Sequence, residues 1–254
     1  MPPDSGSSRR PSLVCLGSGA ALNDGRLYNS LLIGGEILLD LPPTAVPQLH
    51  RLGQDLTAIN HIFISHLHGD HAFGLPFLLL DYCVRIKREE PLYIIGPSGL
   101  EGMTDILCDL AWPEMRQHGF EPHVPLRYVE VEEEGTYSAG DLEFIAIPMK
   151  HFTLDAYGYR FEHRGTTYGY TGDTGECTQI HRLLDGVDVA IMELTHPGED
   201  TSGGHLDKEA VSRLTKRLRS QGATVVATHM SADPGPIEGL LLCEDGQQVL
   251  PEND

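Results

Sequence analysis

The sequence predicts an α/β protein in which two β-sheets pack face to face and helices cover their outer surfaces. Short runs rich in β-branched and aromatic residues alternate with helical patterns, and these elements fall into two groups, at roughly residues 12–120 and 121–245. A chain of 254 residues with 40% hydrophobic content can also bury one sizeable core. We therefore expect a disordered leader at residues 1–11, a single domain at 12–245 and an acidic tail at 246–254.

The first group of elements can be assigned from its turn signals. Gly34-Gly35 separates two apolar runs and predicts a hairpin, and Pro42-Pro43 breaks the chain before a short helix. Ser98 is predicted to cap the last helix of the group. The predicted strands lie at 12–16, 30–33, 36–39, 61–65 and 92–95, and the predicted helices at 44–52, 72–84 and 99–110.

The second group of elements can also be assigned from its turn signals and apolar patterns. Arg164-Gly165 predicts a second hairpin, and Leu206–Arg219 is the clearest amphipathic helix, ended by Gly222. The predicted strands lie at 126–131, 142–148, 157–162, 167–170, 187–192 and 223–227, and the other predicted helix at 178–184.

The charge balance of the chain is strongly acidic. With 18 Lys and Arg against 37 Asp and Glu, the formal net charge is -19, so the average surface repels polyanions and a long nucleic acid is a poor partner. No apolar run approaches the roughly 20 residues of a membrane helix, and residues 1–10 lack the apolar core of a signal peptide. We therefore expect a cytoplasmic protein without a membrane partner. The five cysteines are widely spaced, which is typical of small core residues.

The stretch His66-Leu67-His68-Gly69-Asp70-His71 carries the clearest chemical signal. It offers three imidazoles and one carboxylate, the ligands that a borderline cation such as zinc prefers. The run before it predicts a buried strand, Gly69 permits a bend, and the apolar run after it has helical spacing. The stretch therefore predicts half of a metal site at a strand end.

Other side chains with similar chemistry also follow predicted strands. In sheets flanked by helices, ligand sites collect at the carboxyl ends of strands. Gly17-Ser18-Gly19 lacks the third glycine of a dinucleotide-binding loop, so we expect it only to let the backbone pass close to the site. The residues at or just past strand ends are His66, His151, Asp173, Glu193 and His229.

These motifs resemble those of the metallo-β-lactamase superfamily, and within it the ribonuclease Z-like branch. The resemblance runs from Leu13 to about Ser231 and implies a four-layer αββα sandwich, the metallo-β-lactamase fold. It rests, in chain order, on Leu16-Gly17-Ser18-Gly19-Ala20, the His66–His71 stretch, Pro148-Met149-Lys150-His151, Thr171-Gly172-Asp173-Thr174, Glu193-Leu194-Thr195, Gly203-Gly204-His205-Leu206 and Ala227-Thr228-His229.

The resemblance also implies a dinuclear metal centre. It assigns His66, His68 and His151 to one ion, Asp70, His71 and His229 to the other, and Asp173 to a bridging position. Five imidazoles and two carboxylates suit two Zn²⁺, with Mn²⁺ or Fe as alternatives, and leave each ion an open position for water. The implied chemistry is attack of hydroxide, formed at the two metals, on a phosphodiester.

The same branch implies a proton donor for the leaving group. His205 would act as general acid, Glu193 would orient it, and Asp70 is counted with them among the catalytic residues. Asp40 is predicted to orient a ligand, although Pro42-Pro43 departs from the small residues that usually follow this aspartate in the family. The other histidines are interpreted as structural or exposed: His50, His61, His118, His123, His163, His181 and His196.

The length of the interval between the third histidine and the bridging aspartate narrows the choice of substrate. Transfer-RNA-processing members of the branch grip tRNA with a long arm between the third histidine and the bridging aspartate, but only 22 positions separate His151 from Asp173 here. We therefore expect a small anionic phosphodiester such as a cyclic nucleotide, which some armless relatives hydrolyse. The alternatives are a tRNA 3′-processing endonuclease, a carboxyl ester, lactone or thioester hydrolase, and a non-catalytic metal-bound sensor. Relatives are often dimers, so the resemblance adds a homodimer as one option, and the sequence leaves the oligomeric state open.

Overall fold

The fold is built from two β-sheets. The computed structural model describes residues 11–114 and 122–252, and in this range the chain forms two seven-stranded mixed sheets that pack face to face, with helices on the outside. The predicted four-layer αββα arrangement is confirmed. Residues 1–10 of the predicted leader lie outside the described residues.

The first sheet holds the hairpin and the strand that leads to the histidine-rich stretch. Its strands are β1 Leu13–Gly17, β2 Ser30–Ile33, β3 Ile37–Leu39, β4 His61–Phe63, β5 Leu92–Pro97, β6 Leu126–Val131 and β14 Gln248–Leu250. Their order across the sheet is β14-β1-β2-β3-β4-β5-β6. β3, β4, β5 and β6 run parallel, whereas β14, β1, β2 and β3 pair antiparallel.

The second sheet supplies the remaining site residues. Its strands are β7 Gly135–Ala139, β8 Leu142–Pro148, β9 Tyr157–His163, β10 Thr166–Tyr170, β11 Val189–Glu193, β12 Thr224–Thr228 and β13 Leu240–Leu242, in the order β13-β12-β11-β10-β9-β8-β7. β10, β11 and β12 run parallel, so their carboxyl ends meet at one edge of the sheet.

The helices are short and lie outside the sheets. They are α1 Ala45–Arg51, α2 Gly69–Ala72, α3 Leu75–Val84, α4 Leu100–Ala111, α5 Gln179–Leu184 and α6 Lys208–Ser220. Within the described ranges, none of them has the length and apolar character needed to cross a lipid bilayer.

Three apolar layers hold these elements together. Between the sheets, Phe63 of β4 meets Phe144 and Phe161 of the second sheet with ring centroids 5.2 and 5.0 Å apart. A second layer packs α1 and α3 onto the first sheet, and a third packs α5 and α6 onto the second sheet. This burial fixes the two sheets relative to each other and so brings their strand ends together.

The structure corrects the predicted helices at three points. Gly74 divides the helix predicted at 72–84 into α2 and α3, because its N–H donates to the Leu41 carbonyl at 2.8 Å and not to the preceding turn. A Cβ at this position would lie 2.3 Å from the carbonyl oxygen of Pro42. The N-cap of α4 is Gly99, in the left-handed conformation, and not Ser98. α6 begins at Lys208 because Asp207 caps it, with its side chain accepting a hydrogen bond from the Ala210 N–H.

The strands at the sheet edges differ most from prediction. β7, β13 and β14 were not predicted, and β14 places residues 248–250 of the predicted acidic tail in the first sheet, paired with β1. β6 also belongs to the first sheet, so the boundary between the two predicted groups at residues 120 and 121 is wrong. The second sheet begins only at Gly135.

Candidate metal centre

The side chains predicted to form a site gather where the strands end. β4 leads into His66, β8 into His151, β10 into Asp173 and β12 into His229, and β11 ends on Glu193. Of the nine residues predicted as metal ligands or catalytic groups, six line one cavity, and the other three contact those six. The six are His68, Asp70, His151, Asp173, His205 and His229, and the three are His66, His71 and Glu193.

The loop after β4 presents four site residues on one tight bend. His68 is the N-cap of α2 with extended backbone angles, φ −67° and ψ 153°, and Asp70 and His71 follow in the first turn of the helix. A Cβ on Gly69 would lie 2.9 Å from the ring of Phe73, so this position accommodates only glycine without rearrangement. The bend turns the side chains on both sides of Gly69 towards the same space.

Asp40 lies beneath this loop at the end of β3 and holds it in place. The residue is buried and has a left-handed φ of 55°. Its Oδ1 accepts a hydrogen bond from Ser65 N at 2.7 Å, and its Oδ2 lies 2.7 Å from His71 Nδ1 and also accepts from the Tyr170 hydroxyl. Asp40 therefore orients His71, and Pro42-Pro43 does not disturb this contact.

The first group of candidate ligands contains three histidines. His66 Nε2 lies 3.0 Å from His68 Nδ1, and His151 Nε2 lies 3.4 Å from the same atom. The three ligand atoms all lie within 4.8 Å of one another, close enough to bind a single ion. This is the set that the resemblance assigns to one metal.

The second group lies directly beside the first. His71 Nε2 and His229 Nε2 are 3.2 Å apart, and Asp70 Oδ2 is 3.4 and 3.5 Å from these two nitrogens. Asp173 Oδ2 approaches the same nitrogens to 3.5 and 3.3 Å, and its carboxylate is also within ligand-sharing distance of His66. Asp173 thus stands between the two groups.

In four of the candidate ligand histidines, the hydrogen bond made by Nδ1 assigns the tautomer of the ring. Nδ1 of His66 lies 3.1 Å from Ser65 Oγ, and Nδ1 of His71 lies 2.7 Å from Asp40 Oδ2. Nδ1 of His151 lies 3.0 Å from the Gly204 carbonyl oxygen, and Nδ1 of His229 lies 2.8 Å from Thr195 Oγ1. The two hydroxyls donate to carboxylates, so they accept from the rings. Each ring therefore donates from Nδ1 and turns the Nε2 lone pair towards the cluster.

The arrangement requires positive charge at its centre. Lone pairs of His71 and His229 face each other across 3.2 Å beside two carboxylates, which is unfavourable unless a cation or a proton lies between them. Asp173 Oδ1 is buried and has no hydrogen-bond partner among the described residues, so this oxygen is available as a ligand. The donor set therefore fits two divalent cations of the zinc type.

The protonation states agree with this interpretation. Burial lowers the pKa of His66 and His151, so both rings are neutral, as ligands must be.

His71 shows the alternative to a cation: burial lowers its pKa, but the charges of Asp173 and Asp40 outweigh burial and raise that pKa well above its usual value, so a proton can lie between the facing nitrogens. In this protonated form, burial raises the pKa of Asp70, but hydrogen bonds from His229 and His71 outweigh burial and hold that pKa below its usual range. Burial also raises the pKa of Asp173, but positive charge on the imidazoles facing it in the protonated form outweighs burial and holds this pKa below its usual range.

A second constellation, His205 with Glu193, adjoins the cluster. His205 Nδ1 lies 3.1 Å from Glu193 Oε1 and 3.8 Å from Asp173 Oδ2. The buried Glu193 carboxylate also accepts hydrogen bonds from Thr174 N and from the Thr195 hydroxyl. Burial lowers the pKa of His205, but the hydrogen bond and charge of Glu193, followed by Asp173, raise it to about 9. The contact with Glu193 therefore favours the protonated form of His205.

The sequence prediction missed several residues of the site. Thr195 Oγ1 contacts Glu193, His205 and His229, although it was noted only as part of the Glu193-Leu194-Thr195 motif. His196, interpreted from sequence as structural or exposed, lines the cavity, and its ring centroid is 5.7 Å from that of His205. Phe152 lines the same cavity and was not singled out.

The glycine-rich loop after β1 runs beside the site, as predicted. Met230 N donates to the Ser18 carbonyl at 2.8 Å, and Ala20 N donates to the Met230 carbonyl at 3.1 Å. A Cβ at Gly17 would lie 2.1 Å from the Tyr28 carbonyl oxygen, so glycine is needed for the close approach. The loop thereby supports Met230, the residue after His229. His229 itself has a left-handed φ of 56°.

Comparison with known proteins identifies the family to which the sequence is similar. A model described as the beta-lactamase superfamily domain matches residues 36–230. The chain is 35% identical over 107 residues to ribonuclease Z of Staphylococcus haemolyticus, a match that covers 42% of this chain and 32% of that protein. The chain thus spans a minor part of the length of this curated relative.

Solved structures share the fold over nearly the whole chain. The short form of human tRNase Z superposes with a TM-score of 0.71 at 23% identity, covering 93% of this chain and 97% of that one. A diphosphatase from the PhnP family superposes with a TM-score of 0.68 at 19% identity, covering 95% and 100%. At these identities the likeness establishes the fold.

Proposed function

The chain belongs to the β-lactamase superfamily, and from this membership and its His/Asp cluster we propose that it is a metal-dependent phosphodiesterase. The proposed substrate is a small phosphodiester such as a cyclic nucleotide. Two divalent cations, Zn²⁺ or alternatively Mn²⁺ or Fe, would be held by the seven predicted ligands, with Asp173 shared between them.

The single observation that carries the proposal is the His205–Glu193 pair beside the cluster. A phosphodiester releases an alkoxide, which needs a proton, and an imidazolium within the cavity can supply it. Glu193 occupies Nδ1 of His205 at 3.1 Å, which leaves Nε2 as the nitrogen that can donate to a leaving group. Thioester hydrolysis releases a thiolate, which has less need for this acid, whereas carboxyl esters and lactones also release an alkoxide and are separated from phosphodiesters by the substrate panel below.

The side chains around the cluster divide the remaining tasks. When bound, the two cations would supply Lewis acidity and lower the pKa of a water towards neutrality. Asp40, the Gly204 carbonyl and Thr195 hold the ligand rings in one tautomer and orientation. Glu193 keeps His205 protonated and directed, and Asp70 adds a second carboxylate at the His71–His229 side.

Endonucleolytic tRNA processing is the second candidate, since ribonuclease Z and tRNase Z are among the similar proteins. Against it, the interval between His151 and Asp173 holds only the hairpin of β9 and β10. The net charge of -19 also gives the chain no general attraction for a polyanion. These two features favour a small substrate.

The experiment that tests the proposal is hydrolysis of bis(p-nitrophenyl) phosphate by the purified protein. Activity should disappear after treatment with a chelator and return on addition of Zn²⁺ or Mn²⁺, since the ligand cluster would then be refilled. A parallel panel of cyclic mononucleotides, cyclic dinucleotides, pre-tRNA and lactones identifies the substrate class. Lactone turnover without phosphodiester turnover, or no turnover with two ions bound, would contradict the proposal.

A further inference from the structure

We propose that Phe152 is a specificity-determining residue whose ring stacks on a nucleobase of the substrate, with Leu22 as a second apolar contact. This inference rests on the proposed phosphodiesterase function and deepens it, because it names the part of the substrate that is not the phosphate. Both residues line the cavity that contains the His/Asp cluster.

The backbone of Phe152 is in a conformation that aromatic residues avoid. Leu154 N donates to the His151 carbonyl at 3.1 Å, which closes a turn, and Phe152 is its second residue with a φ of 49°. Glycine, asparagine and aspartate are preferred at such positions, because a Cβ is strained there. An aromatic side chain in this turn therefore needs an explanation beyond the turn itself.

Core packing does not provide that explanation. Phe152 is 56% exposed, and Leu22 is 87% exposed. Among the described residues these are the only large hydrophobic side chains that are both exposed and part of the cavity lining. Exposed apolar side chains grouped at a cavity mouth are typical of a ligand contact.

The surroundings hold the ring at the cavity mouth. A Cβ on Gly204 would lie 2.6 Å from the phenyl ring, so the absence of a side chain there makes room for Phe152. The ring centroid is 4.7 Å from that of His151 and 5.7 Å from that of His205. The ring centroids of His151 and His205 are themselves 4.9 Å apart, so Phe152 packs beside both the candidate metal ligand and the candidate acid, next to the place where the phosphate would lie.

The cavity divides chemically into two parts. Its floor is made of imidazoles and carboxylates, which suit cations and a phosphate, while the rim at Phe152 and Leu22 is apolar. The volume of about 260 Å³ lies just below the roughly 300–1,000 Å³ of drug-sized ligand sites, so the ligand is small. Nucleobases are flat groups that many phosphodiesters carry, and aromatic side chains bind their π-faces by stacking.

The test uses two diesters with the same leaving group: thymidine p-nitrophenyl phosphate and methyl p-nitrophenyl phosphate. Phe152→Ala should lower kcat/KM for the thymidine ester by about 5- to 150-fold, the range that stacking on one base supplies, mainly through KM. The methyl ester has no base and should lose much less, so the ratio of the two kcat/KM values should fall. Phe152→Tyr should retain the preference for the thymidine ester, and Leu22→Ala should show a smaller loss in the same direction.

Leu154→Ala is the matched control. Leu154 lies in the same turn and is 39% exposed, but it is absent from the cavity lining, so its loss should leave the ratio of the two substrates unchanged. Phe152→Asn, which tolerates a left-handed φ, should unfold at a temperature no lower than the wild type while losing the preference. Equal losses on both esters, or an unchanged ratio in Phe152→Ala, would overturn the proposal.

A binding measurement separates this inference from the proposed function. If the metal-loaded wild type hydrolysed neither diester, the phosphodiesterase would fail, but thymidine monophosphate binding by calorimetry would still report on Phe152. Weaker binding by Phe152→Ala than by wild type, with methyl phosphate binding equal in both, would retain the base contact. Equal thymidine monophosphate affinity in the two proteins would overturn it.

Discussion

The hydroxyl of Thr195 and the carboxylate of Asp40 do much to determine what the histidines can bind. Each occupies the Nδ1 side of a ring, at 2.8 Å from His229 and 2.7 Å from His71, and so directs Nε2 inwards. A histidine without such a partner can rotate or exchange tautomers, and its affinity for a metal falls. Three of the four non-glycine residues with positive φ among the described residues, namely Asp40, Phe152 and His229, lie at this site.

Replacement of Asp40 therefore tests the candidate metal centre without changing any of the seven candidate ligands. In Asp40→Asn, the amide no longer provides a charged acceptor for His71 Nδ1, and the affinity of the ion bound by His71 should fall by about 10- to 100-fold. Metal content after dialysis against a buffered chelator measures this. Asp81→Asn is the control, because Asp81 makes a similar 2.8 Å contact with His50 away from the cluster. Unchanged metal affinity in Asp40→Asn would contradict the role given to Asp40.

Replacement of His205 tests the proton donor. His205→Ala should lower turnover of a cyclic nucleotide, whose leaving group is an alkoxide, by about 10²- to 10⁴-fold, but should affect release of p-nitrophenolate far less. Glu193→Gln should act in the same direction with a smaller loss, because the negative charge that raises the pKa of His205 is removed. Equal losses on both substrates would remove His205 as the general acid.

The sequence was informative about the ligands and uninformative about their partners. The His66–His71 stretch stands out by its own spacing, whereas His151, Asp173 and His229 were assigned as candidate ligands through the family resemblance and their positions at strand ends. A threonine is common everywhere, and the importance of Thr195 depends on a contact with His229, 34 positions later, that only the folded chain creates. The turn strain at Phe152 is equally invisible without backbone angles.

At the level of elements, the site depends on parallel strands that end at one edge, and on the loops that follow them. The loop between β11 and α6 carries His205, and Asp207 joins both parts: its Oδ1 accepts from Ala210 N at 2.8 Å and its Oδ2 from Asp200 N at 3.4 Å. Asp200 in turn accepts from His205 N at 3.3 Å. The cap of α6 is therefore connected to the position of the candidate acid.

Removal of this cap should reduce both stability and activity. Asp207→Ala should lower the free energy of unfolding by about 0.5–2 kcal/mol, as measured by urea denaturation, because the Ala210 N–H loses its acceptor. Thr44→Ala is a matched control, since Thr44 is the N-cap of α1 but makes no side-chain capping bond. An equal loss of stability in both variants would show that the Asp207 cap has no special contribution.

The predicted elements failed where tertiary contacts override local pattern. Residues 72–84 have continuous helical spacing, yet Gly74 ends α2 because the backbone packs against Leu41 and Pro42. β7, with the sequence Gly-Thr-Tyr-Ser-Ala, and β14, with Gln-Val-Leu, are short edge strands with few apolar residues, so their sequences give a weak signal. The buried strands β4, β5, β11 and β12, which are nearly continuous apolar runs, were predicted correctly.

At the scale of the whole molecule, charge separates a small substrate from a long one. The formal net charge of -19 gives a repulsive field around the protein, and salt screens that field. A protein that grips 6–10 phosphates with cations loses about 10³- to 10⁵-fold in affinity between 50 mM and 200 mM salt. Repulsion reverses the sign of the dependence, so this chain should bind a polyanion better as salt is added.

The salt dependence of two substrates therefore tests the choice between them. Cleavage of pre-tRNA, if measurable, should increase in kcat/KM between 50 mM and 200 mM salt, because screening weakens the repulsion between the acidic surface and the RNA. Hydrolysis of bis(p-nitrophenyl) phosphate, a monoanion, should change little over the same range. A steep fall in pre-tRNA cleavage with salt would instead reveal a local cationic footprint that the net charge conceals, and would favour the endonuclease over the small-molecule phosphodiesterase.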